Sequence, residues 1–236
     1  MDTNVIWRNA RAAVIELDDG GYFTCADTWE IFVNDEPAGT TNTVETYVDG
    51  LVPGKRNLVR FVCGERELSV GVTTPAEPFT IDVRDCGAKG DVEHDDTTNI
   101  QAAIMACPKG GRVLIPAGNY RIKSLFLKSD INIELAEGAV LLARHDRAAL
   151  AYIPGTVKGD EGAGYAGTDM TPLGRWEGES FATYCSAFTG LSVHDVCIYG
   201  RHRYDRLPHH FCHLEVLLCW LPVPARRPAQ LHPRCR

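Results

Sequence analysis

Asp95-Asp96-Thr97-Thr98-Asn99-Ile100-Gln101-Ala102-Ala103-Ile104-Met105-Ala106-Cys107 is the stretch on which the reading of the fold turns. Ile100, Ala103, Ile104 and Cys107 recur at i, i+3, i+4 and i+7, the spacing of one helix face. Asp95 or Asp96 can accept hydrogen bonds from the open amides at its start, and Pro108 and Gly110 stop it. The pattern predicts a helix over residues 96–107. Beyond it the helical period vanishes. Arg112-Val113-Leu114-Ile115, Ser124-Leu125-Phe126-Leu127, Ile131-Asn132-Ile133-Glu134-Leu135 and Val140-Leu141-Leu142 are short strand-like runs. Pro116-Ala117-Gly118, Lys128-Ser129-Asp130 and Ala136-Glu137-Gly138 turn the chain between them. Leu191 to Gly200 repeats the style of Ser129 to Gly138. Short strands repeated in this way suit a solenoid whose rungs bury an apolar interior, with the helix covering the first rung.

Residues 1–77 have a different rhythm. Ala12–Leu17, Trp29–Val33, Val44–Val48, Asn57–Val62 and Leu68–Val72 alternate with turn signals such as Asn34-Asp35-Glu36-Pro37 and Val52-Pro53-Gly54-Lys55. Strands at that spacing predict an all-β sandwich. Trp29 to Glu36, then Val48-Asp49-Gly50-Leu51-Val52-Pro53-Gly54, resembles a fibronectin type III module. Such modules follow this corner with a tyrosine that pins the chain; the nearest position here is Asn57. Thr73 to Pro78 reads as the linker.

The chain has 236 residues, a formal net charge of -7 and nine cysteines. An acidic chain of this kind is not a general nucleic-acid binder. No apolar run is long enough for a membrane span. The start lacks a targeting pattern, and no Cys-x-x-Cys pair occurs, which predicts thiols in a cytoplasmic setting. Composition breaks at Gly200: all 22 glycines lie within residues 1–200, while the last 36 residues hold seven arginines, five histidines and no lysine. Residues 201–236 are therefore read as an atypical tail, with Leu214 to Leu221 neither a strand of the fold nor a membrane element.

Phe79-Thr80-Ile81-Asp82-Val83-Arg84-Asp85-Cys86-Gly87-Ala88-Lys89-Gly90-Asp91, the Asp95–Ile104 stretch and Gly110-Gly111-Arg112-Val113-Leu114-Ile115-Pro116-Ala117-Gly118-Asn119-Tyr120 resemble the opening of pectin-degrading β-helix proteins. With Glu134 to Leu141 and Arg175-Trp176-Glu177-Gly178, the stretch is similar to glycoside hydrolase family 28, the polygalacturonases. A fibronectin-like module in front is similar to the exo-acting bacterial members. The resemblance implies an all-β chain: a fibronectin type III-like β-sandwich over 1–77, then the first rungs of a right-handed parallel β-helix over 78–200 with a short capping helix. It implies pectin or oligogalacturonide as substrate and hydrolysis of α-1,4-galacturonide bonds with inversion. That chemistry needs two carboxyl groups about 6.5–9.5 Å apart. The family supplies them from Asn-Thr-Asp and Asp-Asp motifs, beside a Gly-His-Gly histidine and an Arg-x-Lys pair, all on later rungs.

No catalytic residue is therefore assigned within this chain, and no cofactor or metal is called for. Asp95-Asp96 matches the family's capping pair. Arg121-Ile122-Lys123 and Gly167-Thr168-Asp169 spell fragments of site motifs in the wrong context. Arg175, Trp176 and Glu177 are the candidate substrate-binding residues, since an aromatic and a guanidinium suit an acidic sugar; the competing reading is a loop anchor. His209, His210, Cys212 and His213 match no familiar zinc spacing. Family members continue Tyr-Gly-x-Gly-Thr-Ile-Asp-Gly here, where this chain reads Tyr199-Gly200-Arg201-His202-Arg203-Tyr204-Asp205-Arg206. His202 to Arg206 can be encoded CAC-CGG-TAC-GAT-CGA, which reads Thr-Gly-Thr-Ile-Asp when the first base is dropped. That points to a frameshift; a genuine divergent tail is the alternative. Self-association through the open solenoid end, a non-catalytic carbohydrate-binding module and a fragment of a calcium-using lyase complete the expectations.

Overall fold

In a computed structural model of the chain, the described residues are 3–17, 21–144, 147–158, 170–172, 175–176, 179–191, 193–200 and 216–219. Two compact units divide between Phe79 and Thr80.

The first unit holds seven strands: β1 (Thr3–Arg8), β2 (Ala13–Leu17), β3 (Thr24–Val33), β4 (Glu36–Thr43), β5 (Glu45–Val48), β6 (Arg56–Cys63) and β7 (Arg66–Thr73). They form two antiparallel sheets, ordered β1-β2-β5 and β4-β3-β6-β7. In β2 and β6 the buried positions alternate with outward ones, so each sheet turns one face inward. Ile15 and Leu17 from one sheet and Trp29, Val59 and Phe61 from the other belong to a single buried cluster. Asn34 (φ 51°) and Asp35 (φ 69°) both sit at positive φ between β3 and β4, the two-residue turn that best matches strand twist. Pro37 in β4 is tolerated because that strand lies at the sheet edge.

Asn57 pins the Val52–Lys55 corner to the start of β6. Its buried side chain accepts from Val52 N at 2.8 Å and donates to Val52 O at 3.1 Å and Lys55 O at 3.2 Å.

The second unit begins with β8 (Thr80–Asp82), β9 (Asp91–Asp95) and α1 (Thr97–Ala106). Then come β10 (Arg112–Ile115), β11 (Gly118–Ile122), β12 (Leu125–Phe126), β13 (Ile131–Leu135) and β14 (Ala139–Ala143). Six two- or three-residue strands follow: β15 (Tyr152–Ile153), β16 (Thr156–Lys158), β17 (Met170–Pro172), β18 (Arg175–Trp176), β19 (Glu179–Ser180) and β20 (Thr183–Tyr184). The last are β21 (Phe188–Leu191), β22 (Val196–Gly200) and β23 (Val216–Cys219).

Three parallel sheets run through this unit, ordered β22-β13-β10-β8, β14-β11-β9 and β12-β21-β23. The chain visits them in rotation, which is a parallel β-helix. Arg112 pairs with Asn132, and Asn132 with Cys197. Equivalent residues stack, so Val113 lies under Ile133 and Ile133 under Ile198, and all three pack in the interior cluster. On the outer side Glu134 accepts from Arg112 Nη1 at 2.7 Å and from the Tyr199 hydroxyl at 2.8 Å, tying three rungs together.

The helix sits where the third sheet has no earlier strand. Its Ile100, Ala103 and Ile104 are buried in the interior cluster. Gln101 closes the edge of β12: Nε2 donates to Phe126 O at 2.9 Å and Oε1 accepts from Phe126 N at 2.7 Å. A side-chain amide thereby mimics the next strand and covers an edge that would otherwise be open to pairing. Lys128 Nζ donates to the Met105 and Cys107 carbonyls at the helix end.

The structure decides between the two capping candidates: Asp96 stands at the helix start but makes no side-chain bond to the helix amides, whereas Asp95 Oδ1 accepts from Thr97 N at 3.2 Å. One expectation is corrected, that Leu214 to Leu221 forms no strand of the fold. Val216–Cys219 pairs in parallel with Phe188–Leu191 as β23. Four consecutive β-prone apolar residues satisfy an edge that β21 would leave unpaired.

Candidate functional site

The first rung turns from β11 to β12 with two residues, Lys123 and Ser124. The second rung makes the same turn through residues 145–186. Arg144 N donates to Ile122 O and Leu125 N donates to Ala187 O, so Arg144 and Ala187 occupy the corner positions. The insertion leaves and rejoins the solenoid at one point. It is built of nested antiparallel ribbons, β15 with β20, β16 with β17, and β18 with β19.

Two of the three candidate residues, Arg175 and Trp176, lie on the last ribbon. Arg175 pairs with Ser180 and Trp176 with Glu179, which brings both candidates to the same short strand. Glu177 lies outside the described residues, as do Gly167-Thr168-Asp169 and His209, His210, Cys212 and His213.

At the base of the insertion Tyr152 faces Tyr184, with ring centroids 5.2 Å apart and planes inclined at 66°. Both rings are water-facing, at 61% and 42% exposure. Beneath them Ile153 and Cys185 are buried, and Cys185 N donates to Ala151 O at 2.8 Å. Gly155 is in such close approach that an added Cβ would lie 2.7 Å from the Phe181 backbone. Burial pushes the Cys185 thiol up from its ordinary range. Sequence reasoning passed over these tyrosines; two aromatics in a glycine-rich stretch carry no periodic signal.

The motif fragments have structural duties. Arg121 Nη1 reaches the Val92 and Glu93 carbonyls at 3.4 Å, and Lys123 Nζ pairs with Asp95 at 3.1 Å. Burial alone would raise the Asp95 carboxyl, but the Thr97 hydroxyl and Lys123 outweigh it and hold it below its ordinary range. Asp96 is fully buried and accepts from Lys89 N at 2.7 Å and Gly90 N at 3.0 Å.

Among the described residues, one group has the donor set for a cation: Asp130, His194 and Asp195. Asp130 and Asp195 are register partners' neighbours at the corners of adjacent rungs, both at positive φ (60° and 53°). Lys109 Nζ lies 3.3 Å from Asp130 and His194 Nδ1 lies 3.0 Å from Asp195. These contacts tie the two corners together, and the exposed His194 and Asp195 carry no further sign of a bound cation. No helix among the described residues is long and apolar enough to cross a membrane.

Residues 80–135 match the family described as rhamnogalacturonase A/epimerase, pectate lyase-like. Over 107 residues, 45% of this chain, it is 39% identical to the exo-poly-alpha-D-galacturonosidase of Dickeya chrysanthemi, and covers 16% of that protein. Over 70 residues, 28% of this chain, it is 44% identical to plasmin and fibronectin-binding protein A of Streptococcus pneumoniae, covering 10% of that protein. The family 28 exopolygalacturonase of Yersinia enterocolitica is similar in structure, with a TM-score of 0.50 and 20% identity, over 85% of this chain and 40% of that one. The chain thus spans less than half the length of each of these proteins. The family match over residues 80–135 falls within the second unit, whose rung register gives it a parallel β-helix fold, and the chain is similar in fold to an exopolygalacturonase.

Proposed function

We propose that this chain is the leading part of an exo-polygalacturonase-like protein of glycoside hydrolase family 28, directed at pectin-type polygalacturonan. The observation that carries the reading is the coincidence of the 39% identity to an exo-poly-alpha-D-galacturonosidase with rungs in unbroken register. Residues 1–77 are read as a fibronectin type III-like sandwich, on the grounds of two antiparallel sheets of three and four strands. Arg175, Trp176 and Glu177 are read as substrate contacts on the inserted loop, where a guanidinium can take a uronate carboxylate in paired hydrogen bonds. The thiols of Cys86 and Cys185 support a cytoplasmic location. Among the described residues β14 and β22 each pair on one side only, which supports self-association through strand edges.

The 236 residues as given bind polygalacturonan without hydrolysing it. Inversion needs an acid and a base across the bond, and the carboxylates of the motif-like pair, Asp95 and Asp96, are committed to the cap. The test is reducing-sugar release from polygalacturonate by the purified chain. No release is expected. Turnover that persists in the Asp205→Ala/Glu215→Ala variant would place the chemistry before residue 200 and overturn this reading.

A module without chemistry is the second reading. It is favoured by the likeness to a protein whose name describes binding alone. Retention of the chain by polygalacturonate beads favours the first reading; retention only by host proteins favours the second.

A further inference from the structure

The geometry points to the Tyr152–Tyr184 pair as a pyranose-stacking subsite, whose occupant is a sugar ring of the galacturonan chain; the choice of that glycan rests on the reading above. A ribbon of two residues a side has too little area to bury a core of its own. It nevertheless carries two tyrosines directly opposite each other, 61% and 42% exposed. Exposed aromatics that meet on one surface are more costly to leave in water than single ones, and contiguous apolar patches mark contact sites.

The pair is set up for a flat amphipathic ligand. At 66° the edge of one ring meets the face of the other, a favourable arrangement of ring charge. The contact fixes both rings against each other and still leaves aromatic face in water. A pyranose ring offers a face of C–H bonds that matches an aromatic face. Its hydroxyl rim can meet the phenol groups, which both donate and accept. A tyrosine has only two side-chain torsions to lose on binding, so the entropic cost of the contact is small. The base is firm: Ile153 and Cys185 are buried, Cys185 N is bonded to Ala151 O, and Gly155 lets the Phe181 backbone approach. The pair and the Arg175-Trp176 strand belong to one insertion.

The test is native gel electrophoresis of the full chain through polygalacturonate and, separately, through neutral β-1,4-galactan. Variants are Tyr152→Ala/Tyr184→Ala, Tyr152→Phe/Tyr184→Phe and Arg175→Ala/Trp176→Ala, each checked for an unchanged melting temperature. The expected result is retardation of the wild type by polygalacturonate and at least a tenfold weaker dissociation constant in the alanine pair. The phenylalanine pair should stay within about threefold, because it keeps the faces. Equal retardation of wild type and the alanine pair overturns the subsite and leaves the galacturonan reading standing. Tyrosine-dependent retardation by neutral galactan alone keeps the subsite and overturns the galacturonan reading. No retardation by either glycan overturns the subsite.

Discussion

Replacing Asp96 separates a structural carboxylate from a catalytic one. Its side chain is fully buried between the loop after β8 and the start of α1. One oxygen accepts from Lys89 N at 2.7 Å and the other from Gly90 N at 3.0 Å. The Asp96 amide donates to Arg121 O at 2.9 Å, and its carbonyl accepts from Ile100 N at 3.0 Å. Hydrogen bonds to a charged group contribute about 1.5–3 kcal/mol each, and an abandoned buried donor costs a similar amount. Asp96→Ala removes two such bonds and regains part of the cost of burying the charge. The net loss is about 3–5 kcal/mol for the second unit. Asp96→Asn keeps one acceptor but turns an amide NH2 towards a backbone N–H, for a loss of about 2–3 kcal/mol. By the usual scaling, the alanine variant should melt about 10–20 °C lower. Thermal unfolding followed by circular dichroism measures the drop, and hydrogen exchange should show faster loss at Lys89 and Gly90 than at Ile133. A melting temperature within about 2 °C of wild type would refute the argument that this carboxylate exists to close the cap.

Ile104→Asp, which buries a charge against the interior cluster, should destabilise the cap by several kcal/mol and lower the melting temperature accordingly. Asp95 has a folded-state carboxyl below its ordinary value of 3.8, so its contribution is complete above that value and is lost as the pH falls through the lower folded one. Lys123→Met should flatten that acid limb of the melting curve. Cys185, buried and with its thiol pushed up, should alkylate with iodoacetamide at pH 8 at least tenfold more slowly than the half-exposed Cys86.

The sequence disclosed the cap helix and the rungs for one physical reason: an interior shared by stacked strands leaves a repeated apolar mark. Ile100, Ala103 and Ile104 mark the helix face, and Val113, Ile133 and Ile198 mark one column of the solenoid. Elements without a buried face left no mark. β4 runs Glu36-Pro37-Ala38-Gly39-Thr40-Thr41-Asn42-Thr43, with not one fully buried residue, and reads as a loop. β1, with none either, escaped in the same way. Asp96 was recognisable as structural, but its partners were not, because Lys89 and Gly90 come from a turn whose closeness only the fold creates. The tyrosine pair was illegible for the same reason: 32 positions separate Tyr152 from Tyr184, and only the ribbon register makes them neighbours. The apolar tail segment was misjudged because strand formation there depends on the open edge of β21, a feature of its surroundings.

The placement of the insertion makes a final, stronger demand on the fold. If Arg144 and Ala187 hold the positions of Lys123 and Ser124, then residues 145–186 are dispensable for the solenoid, and joining Arg144 to Ala187 rebuilds the shorter corner. Closing a loop of that length costs on the order of 3 kcal/mol in chain entropy, which the deletion recovers. Against it stands the lost burial of Ile153, about 1.5–3 kcal/mol, and of part of Cys185. The Ser124 hydroxyl also loses its 3.3 Å contact to Cys185 O. These opposed effects nearly cancel, so the deletion variant should fold and melt within about 5 °C of wild type. It should at the same time lose every trace of retardation in glycan gels, since both the tyrosine pair and the Arg175-Trp176 strand go with it. An unfolded deletion variant would show that the insertion is part of the core. A folded variant that still binds glycan would move recognition onto the rungs themselves.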